Sequence, residues 1–76
     1  MKDALTTIIK ALVADENAVS INEAGTEKSV IFEVKVAEGD MGKVIGKEGR
    51  IAKSIRTIMQ SLAAKENKKV IVEFVD

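Results

Sequence analysis

The sequence lacks several residue types on which the chemistry of small proteins often depends. It contains no cysteine, histidine, proline, tryptophan or tyrosine, and only two phenylalanines among 76 residues. The absence of cysteine excludes disulfides and thiolate chemistry, and the absence of histidine excludes the usual zinc sites and histidine-based acid–base catalysis. The twelve carboxylates are scattered without a neighbouring nucleophile. We therefore expect neither an enzyme nor a metal or cofactor site.

Long apolar segments are also missing. No run approaches the length of a membrane span, and the first residues lead into an amphipathic segment without the apolar block of a signal peptide. We therefore expect a cytoplasmic protein that does not associate with membranes. The length fits one domain over residues 1–76, and a hydrophobic fraction of 46% is enough for one layered core.

The formal net charge is zero, which argues against a generic nucleic-acid-binding protein. The charge is nevertheless unevenly distributed. From Lys43 to Arg56, five basic residues accompany a single acidic residue, Glu48, so this stretch carries a net charge of +4. A nucleic acid would meet a local basic patch on a neutral protein, and we expect the affinity that comes from charge to be weak.

The hydrophobic periodicity predicts six elements in the order α-β-β-α-α-β. They are a helix over residues 3–14, a strand at 19–22, a strand at 30–36, a helix at about 40–45, a helix over 50–65 and a strand at 70–75. Ala24-Gly25-Thr26 is expected to form the turn between the first two strands, and Asp40 is expected to be an N-cap.

This order predicts an α+β fold, in which a three-stranded mixed sheet is covered on one face by three helices. The last strand is expected to lie parallel to the second, because the segment between them is long enough for a crossover. On the long helix, Ile51, Ile55, Ile58 and Leu62 are expected to form one apolar arc, with Ala52, Met59 and Ala63 beside it.

A pair of glycines three positions apart separates the two later helices in the segment Gly46-Lys47-Glu48-Gly49. Glycine lets the backbone turn sharply and lets a ligand approach closely. A mononucleotide phosphate loop does not fit, because the spacing is short and the required Ser or Thr is absent. A dinucleotide fingerprint does not fit either. Taken alone, the two glycines favour an ordinary helix end followed by a tight turn.

In its context, this segment resembles the GxxG loop of KH domains, which clamps about four nucleotides of a nucleic-acid backbone. Val44 to Gly49 matches the Val-Ile-Gly-x-x-Gly core directly, and the element order resembles the type II KH arrangement. The longer run from Asp40 to Lys53 resembles the small bacterial single-KH RNA-binding proteins of the KhpA family. Two departures are Ala52, where many KH domains carry a larger aliphatic residue, and the acidic Glu48 inside the loop.

The resemblance implies a groove between the two later helices with their loop and the last strand. The glycine backbone would lie against phosphates, and the neighbouring cations would neutralise them. The residues expected to bind RNA are Lys43, Val44, Ile45, Gly46, Lys47, Glu48, Gly49, Arg50 and Lys53. One member of the Val44–Ile45 pair is expected to face the groove and the other the core. Ile71 and Val75 are candidates for the opposite wall.

The implied function is weak binding of single-stranded RNA with low sequence specificity, as an RNA chaperone or post-transcriptional regulator. The family also implies a KhpB-type partner and roles in cell elongation, cell shape and the homeostasis of the envelope and cell wall. A homodimer, a heterodimer with the KhpB-type partner, or both are expected, because the apolar last strand needs a cover. No small-molecule substrate is expected. Both phenylalanines alternate with core positions, so aromatic stacking platforms are not expected.

The alternative is a dimerisation or protein-interaction module of KH fold with little or no RNA binding. The zero net charge and Glu48 favour this alternative. An apolar strand at the edge of the predicted sheet also favours it, since such an edge tends to acquire a partner.

Overall fold

The computed structural model describes residues 1–75 and confirms the α-β-β-α-α-β order expected of a type II KH domain. The helices and strands are α1 (Lys2–Leu12), β1 (Ser20–Gly25), β2 (Ser29–Lys35), α2 (Met41–Ile45), α3 (Arg50–Lys65) and β3 (Lys69–Phe74). Single turns of 3₁₀ helix at Glu16–Ala18, Glu38–Asp40 and Lys47–Gly49 join some of them. No helix within residues 1–75 is both long and apolar enough to cross a membrane.

The three strands form one mixed sheet in the order β1-β2-β3. β1 pairs with β2 in antiparallel fashion, with Ile21 opposite Val34. β2 pairs with β3 in parallel, with Val30 opposite Val70. β2 is therefore the central strand, and among residues 1–75 no further strand pairs with the outer edges of β1 and β3. The predicted mixed sheet and the parallel last strand are confirmed.

The first hairpin is longer than its sequence predicts. β1 continues through Ala24 and Gly25, which pair with Ile31 and Val30. The turn lies beyond them, where the Thr26 N–H donates to the Ser29 carbonyl at 2.7 Å. The prediction of a turn at 24–26 was wrong because the ladder with β2 extends β1 to Gly25.

The core lies between one face of the sheet and the helices. Alternate residues of β2 point into it, and Phe32 and Val34 have no exposed surface. Leu5 and Ile9 of α1 are equally buried. The same helical layer holds α2 and α3, whose junction carries the two glycines of the loop.

The buried stripe of α3 is centred on the residues predicted to lie beside the apolar arc, rather than on the arc itself. It consists of Ala52, Ile55, Met59 and Ala63, whereas Ile58 is 47% exposed. Ile58 directly precedes Met59, and one residue turns a helix by about 100°. The helix therefore places small alanines in the core and leaves one isoleucine facing outward.

Asp40 precedes α2 as predicted, but its side chain makes no cap hydrogen bond within residues 1–75. Its carboxylate is buried, accepts a hydrogen bond from the Asp15 backbone N–H at 3.0 Å and pairs with Lys43 at 3.2 Å. Hydrogen bonds from the backbone N–H groups of Asp15 and Ala14, together with Lys43, hold the pKa of Asp40 below its usual value. Asp40 thus ties the segment after α1 to the start of α2.

Candidate nucleic-acid interface

Gly46 ends α2 and turns the chain toward the loop. Its N–H donates to the Gly42 carbonyl at 2.9 Å, and its backbone angles are φ 77° and ψ 174°. A Cβ at this position would stand 2.6 Å from Cγ1 of Ile51. Gly46 is therefore required both by its positive φ and by the close approach of the first turn of α3.

The next two left-handed residues, Glu48 and Gly49, have φ values of 57° and 74°. The Gly49 N–H donates to the Gly46 carbonyl at 3.2 Å, which closes the turn. Apart from its chain neighbours, no heavy atom of residues 1–75 lies within 4 Å of a Cβ built on Gly49. The space beside Gly49 is therefore open, and a ligand can approach the backbone there.

α3 begins directly after this turn, with Gly49 as its N-cap. Among the described residues, no side chain caps this end, and the first turn contains no acidic residue. Arg50, the first residue of the helix, is a cation at the positive end of the helix dipole. An uncapped helix start beside open backbone can accept an anionic group.

The predicted cations divide into two kinds. Lys47 and Lys53 are exposed and form no ion pair within the part of the chain that the structure describes. Arg50 lies 3.6 Å from the Glu48 carboxylate, with both side chains more than 70% exposed. Lys43 pairs with the buried Asp40. Lys47 and Lys53 are therefore free to bind phosphates. Glu48 pairs with Arg50 rather than with Lys47.

The alternatives for Val44 and Ile45 are resolved by burial. Val44 has no exposed surface and belongs to the core. The prediction that its side chain contacts RNA is therefore corrected: Val44 is the member of the pair that faces the core. Ile45 is half-buried and packs against the same core. The two residues are successive on α2, about 100° apart, which lets only one of them point fully inward.

The predicted wall residues lie on β3 and directly after it. Ile71 is 48% exposed and alternates with the buried Val70 and Val72, so it faces away from the helices. Val75 follows the end of β3, where its N–H donates to the Val34 carbonyl at 2.9 Å. The structure does not bring Ile71 together with the glycine loop, because the sheet lies between them.

The open edge of β3 lies beside α3 instead. The N–H groups of Lys69 and Val75 point toward β2, where they donate to the carbonyls of Lys28 and Val34. Along a strand in a parallel ladder, the backbone polar groups of alternate residues point in opposite directions. The backbone N–H and C=O groups of Val70, Val72 and Phe74 therefore point away from β2, toward the open edge. The Val72 carbonyl accepts a hydrogen bond from Nε of Arg56 at 3.1 Å.

Arg56 is a residue that the sequence reasoning left out of the site. Arg50, Lys53 and Arg56 are spaced three residues apart on α3, and each such step turns the helix by about 60° and advances it by about 4.5 Å. The three cations therefore form a continuous arc from the glycine loop to the open edge of β3. The three-residue spacing was the signal in the sequence that could have identified Arg56.

Comparison with known proteins assigns the chain to a family. The model of the KH domain of KhpA and KhpB matches residues 2–74. An RNA-binding protein KhpA from Clostridium acetobutylicum is 55% identical over 75 residues, covering 99% of this chain and 100% of that protein. One from Clostridium perfringens is 53% identical over the same shares. One from Chlamydia trachomatis is 43% identical, covering 100% of this chain and 97% of that protein. No solved structure gave a significant match.

Proposed function

The chain belongs to the KhpA/KhpB KH-domain family, and from this membership we propose that it binds single-stranded RNA through the Gly46–Gly49 loop. The observation that carries the proposal is the open backbone at Gly49, followed at once by the uncapped start of α3. A phosphate can rest against this backbone without meeting a side chain, and the helix dipole favours its charge.

The cations beside the loop hold the phosphates in this proposal. Lys47 and Lys53 are free to do so in the unbound protein, while Arg50 must first leave Glu48. The exposed Arg50–Glu48 pair is worth about 0–1 kcal/mol, so RNA can displace it at small cost. Lys43 pairs with Asp40 at 3.2 Å, but its side chain is half exposed, so it can extend the row of cations beside the loop.

Binding through one such site is weak and reads sequence poorly, because most contacts go to the phosphates. If about three phosphates are contacted, log K should fall against log salt concentration with a slope of about −2. Stronger binding requires a second site on a partner. The proposal therefore includes a homodimer or a KhpB-type partner.

The wider role in this proposal is that of a cytoplasmic RNA chaperone or post-transcriptional regulator without catalytic activity. The family resemblance further suggests a contribution to cell elongation and envelope homeostasis. These roles rest on the family alone, and RNA binding is the part that the loop geometry supports.

The test replaces the tip of the loop in a double variant, Lys47→Asp with Glu48→Asp. Asp tolerates the left-handed conformation at position 48, so the fold should survive. Lys10→Asp on the exposed surface of α1 changes the net charge by the same amount and serves as the matched control. Binding to an unstructured RNA oligonucleotide is measured at low salt by fluorescence anisotropy.

We expect the loop variant to lose RNA binding and the Lys10→Asp protein to keep most of it. If the folded loop variant binds as tightly as the wild type, the glycine loop is not the binding site. Equal losses in both variants would mean that net charge rather than the loop governs binding.

A second candidate function is a protein-interaction module. Two large aliphatic side chains favour it, since Ile58 on α3 and Ile71 on β3 are 47% and 48% exposed. Sedimentation of Ile58→Glu and Ile71→Glu, beside the wild type, would identify which surface a second copy covers. A wild type that self-associates without binding RNA would favour this function over the first.

A further inference from the structure

The outer face of the sheet, which points away from the helices, carries a row of apolar side chains. Ala24, Ile31 and Ile71 stand side by side on the three strands, with Ala24 opposite Ile31 and Ile31 opposite Ile71. Ile31 is half-buried, Ile71 is 48% exposed, and neither belongs to the buried core. These three residues, called the apolar row below, cross the middle of a face on which the other strand positions are polar.

The charged residues beside the apolar row have opposite signs on its two sides. Glu33 and Glu73 stand opposite each other, two residues beyond the row along β2 and β3. Lys69 stands opposite Ser29 on the other side, also two residues from the row. A step of two residues along a strand returns to the same face and covers about 7 Å. Within residues 1–75 none of these three charged residues forms an ion pair, so their charges can meet a partner.

The order of these charges selects one way of stacking two copies of the face. In a closed dimer, a two-fold axis brings the same surface of both copies together. An axis along the strands would place Glu33 and Glu73 against the glutamates of the second copy. An axis across the strands, through the apolar row, stacks the two rows on each other and reverses the strand direction. Lys69 then faces Glu73 of the second copy, and Glu33 faces Ser29 of the second copy.

We infer that the outer face of the sheet is the contact surface between two copies of this chain, stacked with their strands antiparallel. Ile31 and Ile71 lie at the centre of the contact, and two symmetry-related pairs of Lys69 with Glu73 lie at its rim. An apolar centre within a polar rim is the usual anatomy of a protein interface. The inference rests on the proposed function only for its homodimer, to which it assigns a surface, and it does not depend on RNA.

The dimer is weak because the face is small. Three strands about 4.8 Å apart and about 20 Å long cover about 300 Å² on each copy, whereas a standard interface buries about 800 Å² per partner. The glycine loop joins two helices of the helical layer, on the other side of the sheet. Both loops therefore remain open in the dimer, and two linked weak sites hold a long RNA more tightly than one.

A face that is simply exposed to water is the competing explanation. One face of a sheet with antiparallel strands is commonly solvated, and the pair of Ile31 with Ile71 would then only stabilise the pairing of β2 with β3. In that case, replacing Ile71 would lower the free energy of unfolding and leave the oligomeric state unchanged. The experiment therefore measures association separately from stability.

The central experiment exchanges the two charges at the rim. Lys69→Glu and Glu73→Lys each place like charges opposite each other at two symmetry-related positions of the dimer. The double variant that carries both substitutions restores both pairs with exchanged signs, and it keeps the net charge of the wild type. Sedimentation equilibrium at protein concentrations up to about 1 mM measures weak association, and urea denaturation measures the stability of each variant.

We expect the dissociation constant of the dimer to rise about tenfold in each single variant, because two exposed ion pairs become repulsive contacts. The double variant should associate as tightly as the wild type. A wild type that stays monomeric throughout this range would overturn the inference. Single variants that associate like the wild type, or a double variant that associates as weakly as the single ones, would also overturn it.

A second pair of variants covers the case in which the charge variants do not fold. Ile71→Thr removes apolar surface from the centre of the contact while keeping a β-branched residue on β3, and it should abolish association. Ile58→Thr is the matched control, because Ile58 on α3 is exposed to nearly the same extent at 47%, and it should associate like the wild type. The reverse result would overturn the inference.

RNA binding of the same proteins separates this inference from the proposed function. It is measured with the unstructured oligonucleotide used for the loop variants. A monomeric wild type that binds RNA would overturn the contact surface and leave RNA binding standing. A wild type that forms the predicted dimer without binding RNA would overturn the proposed RNA binding and support the contact surface.

Discussion

At its C-terminal end α3 closes in a complete hydrogen-bonded cap, whereas at its N-terminal end it starts with no side-chain cap among residues 1–75. Past the C-terminal end, the Lys68 N–H donates to the Ala63 carbonyl at 2.9 Å and the Asn67 N–H donates to the Ala64 carbonyl at 3.1 Å. These two bonds form a Schellman motif. The basic Lys65 in the last turn complements the negative end of the dipole.

The N-terminal end does the opposite in each respect. A glycine, Gly49, stands at the N-cap, and the first turn carries the basic Arg50 and no acidic residue. A cation at the positive end of a helix dipole is unfavourable. One end of α3 is therefore arranged for stability, while the other lacks stabilising contacts and leaves positive charge for an anion.

Both ends also contain one non-glycine residue in the left-handed region. Asn67 has φ 58° and Glu48 has φ 57°. Asparagine is among the residues that adopt this conformation readily, whereas glutamate is not. The strain is therefore concentrated in the loop, at the end of α3 that we propose binds RNA.

The largest effect on stability is expected when Gly46, at the N-terminal end of α3, is replaced by alanine. The new Cβ would lie 2.6 Å from Cγ1 of Ile51. The alanine would also have to adopt a backbone conformation that is nearly exclusive to glycine. We therefore expect a loss of about 3 kcal/mol in the free energy of unfolding. Gly49→Ala, with open space around it, should lose only about 1 kcal/mol from its positive φ. Urea denaturation measures both.

Gly39→Ala is the control for this pair, because Gly39 has neither a positive φ nor a near neighbour within residues 1–75. Its free energy of unfolding should stay close to that of the wild type. Equal losses in Gly46→Ala and Gly49→Ala would contradict the role assigned to Ile51.

Replacing the left-handed residue near each end of α3 by glycine should change the free energy of unfolding by different amounts. Glu48→Gly relieves the left-handed glutamate and should raise the free energy of unfolding by about 1 kcal/mol. Asn67→Gly should raise it by only a few tenths of a kcal/mol, about the scale of small backbone effects. Thermal and urea unfolding of the two variants provide the measurement.

The same pair also separates stability from binding. Glu48→Gly frees Arg50 from its carboxylate partner and should bind RNA more tightly than the wild type. Asn67→Gly should leave RNA binding unchanged. Tighter binding in both variants would show that added stability, rather than the removal of Glu48, is responsible.

A smaller effect distinguishes lysines at the two ends of α3. Lys47→Ala should reduce the magnitude of the slope of log K against log salt by about 0.7, the value for one phosphate contact with a single strand. Lys65→Ala in the last turn should leave the slope unchanged. A slope that responds equally to both substitutions would mean that RNA does not distinguish the two ends.

The fold was largely predictable because its patterns are strong. The alternation of Val30, Phe32 and Val34 with the less buried Ile31 and Glu33 predicts β2. The bounds of α3 were predicted correctly from its periodicity and the flanking polar residues. The apolar side of α3 was predicted, but not which residues lie at its centre, because large aliphatic residues and the smaller ones beside them compete on that helix. Alanines let it approach the sheet closely, which a preference for large residues in the core does not anticipate.

The site was predictable where it is local in sequence. Gly46 and Gly49 have the positive φ values that their spacing suggested, while Val44 and Ile45 could not be separated because both are apolar. The contact of Arg56 with β3 joins residues 16 positions apart. It depends on which edge of β3 is open, and this follows from the register of the sheet rather than from any local motif.

An amide chemical-shift titration of the wild-type protein with a short unstructured RNA tests whether RNA binds at the uncapped end of α3. We predict that the chemical-shift changes cluster at residues 43–56 and at the open edge of β3. The amide shifts of the C-terminal cap of α3, residues 63–67, should stay unchanged. Changes concentrated at 63–67 or on the outer face around Ile71, with the glycine loop unaffected, would contradict it.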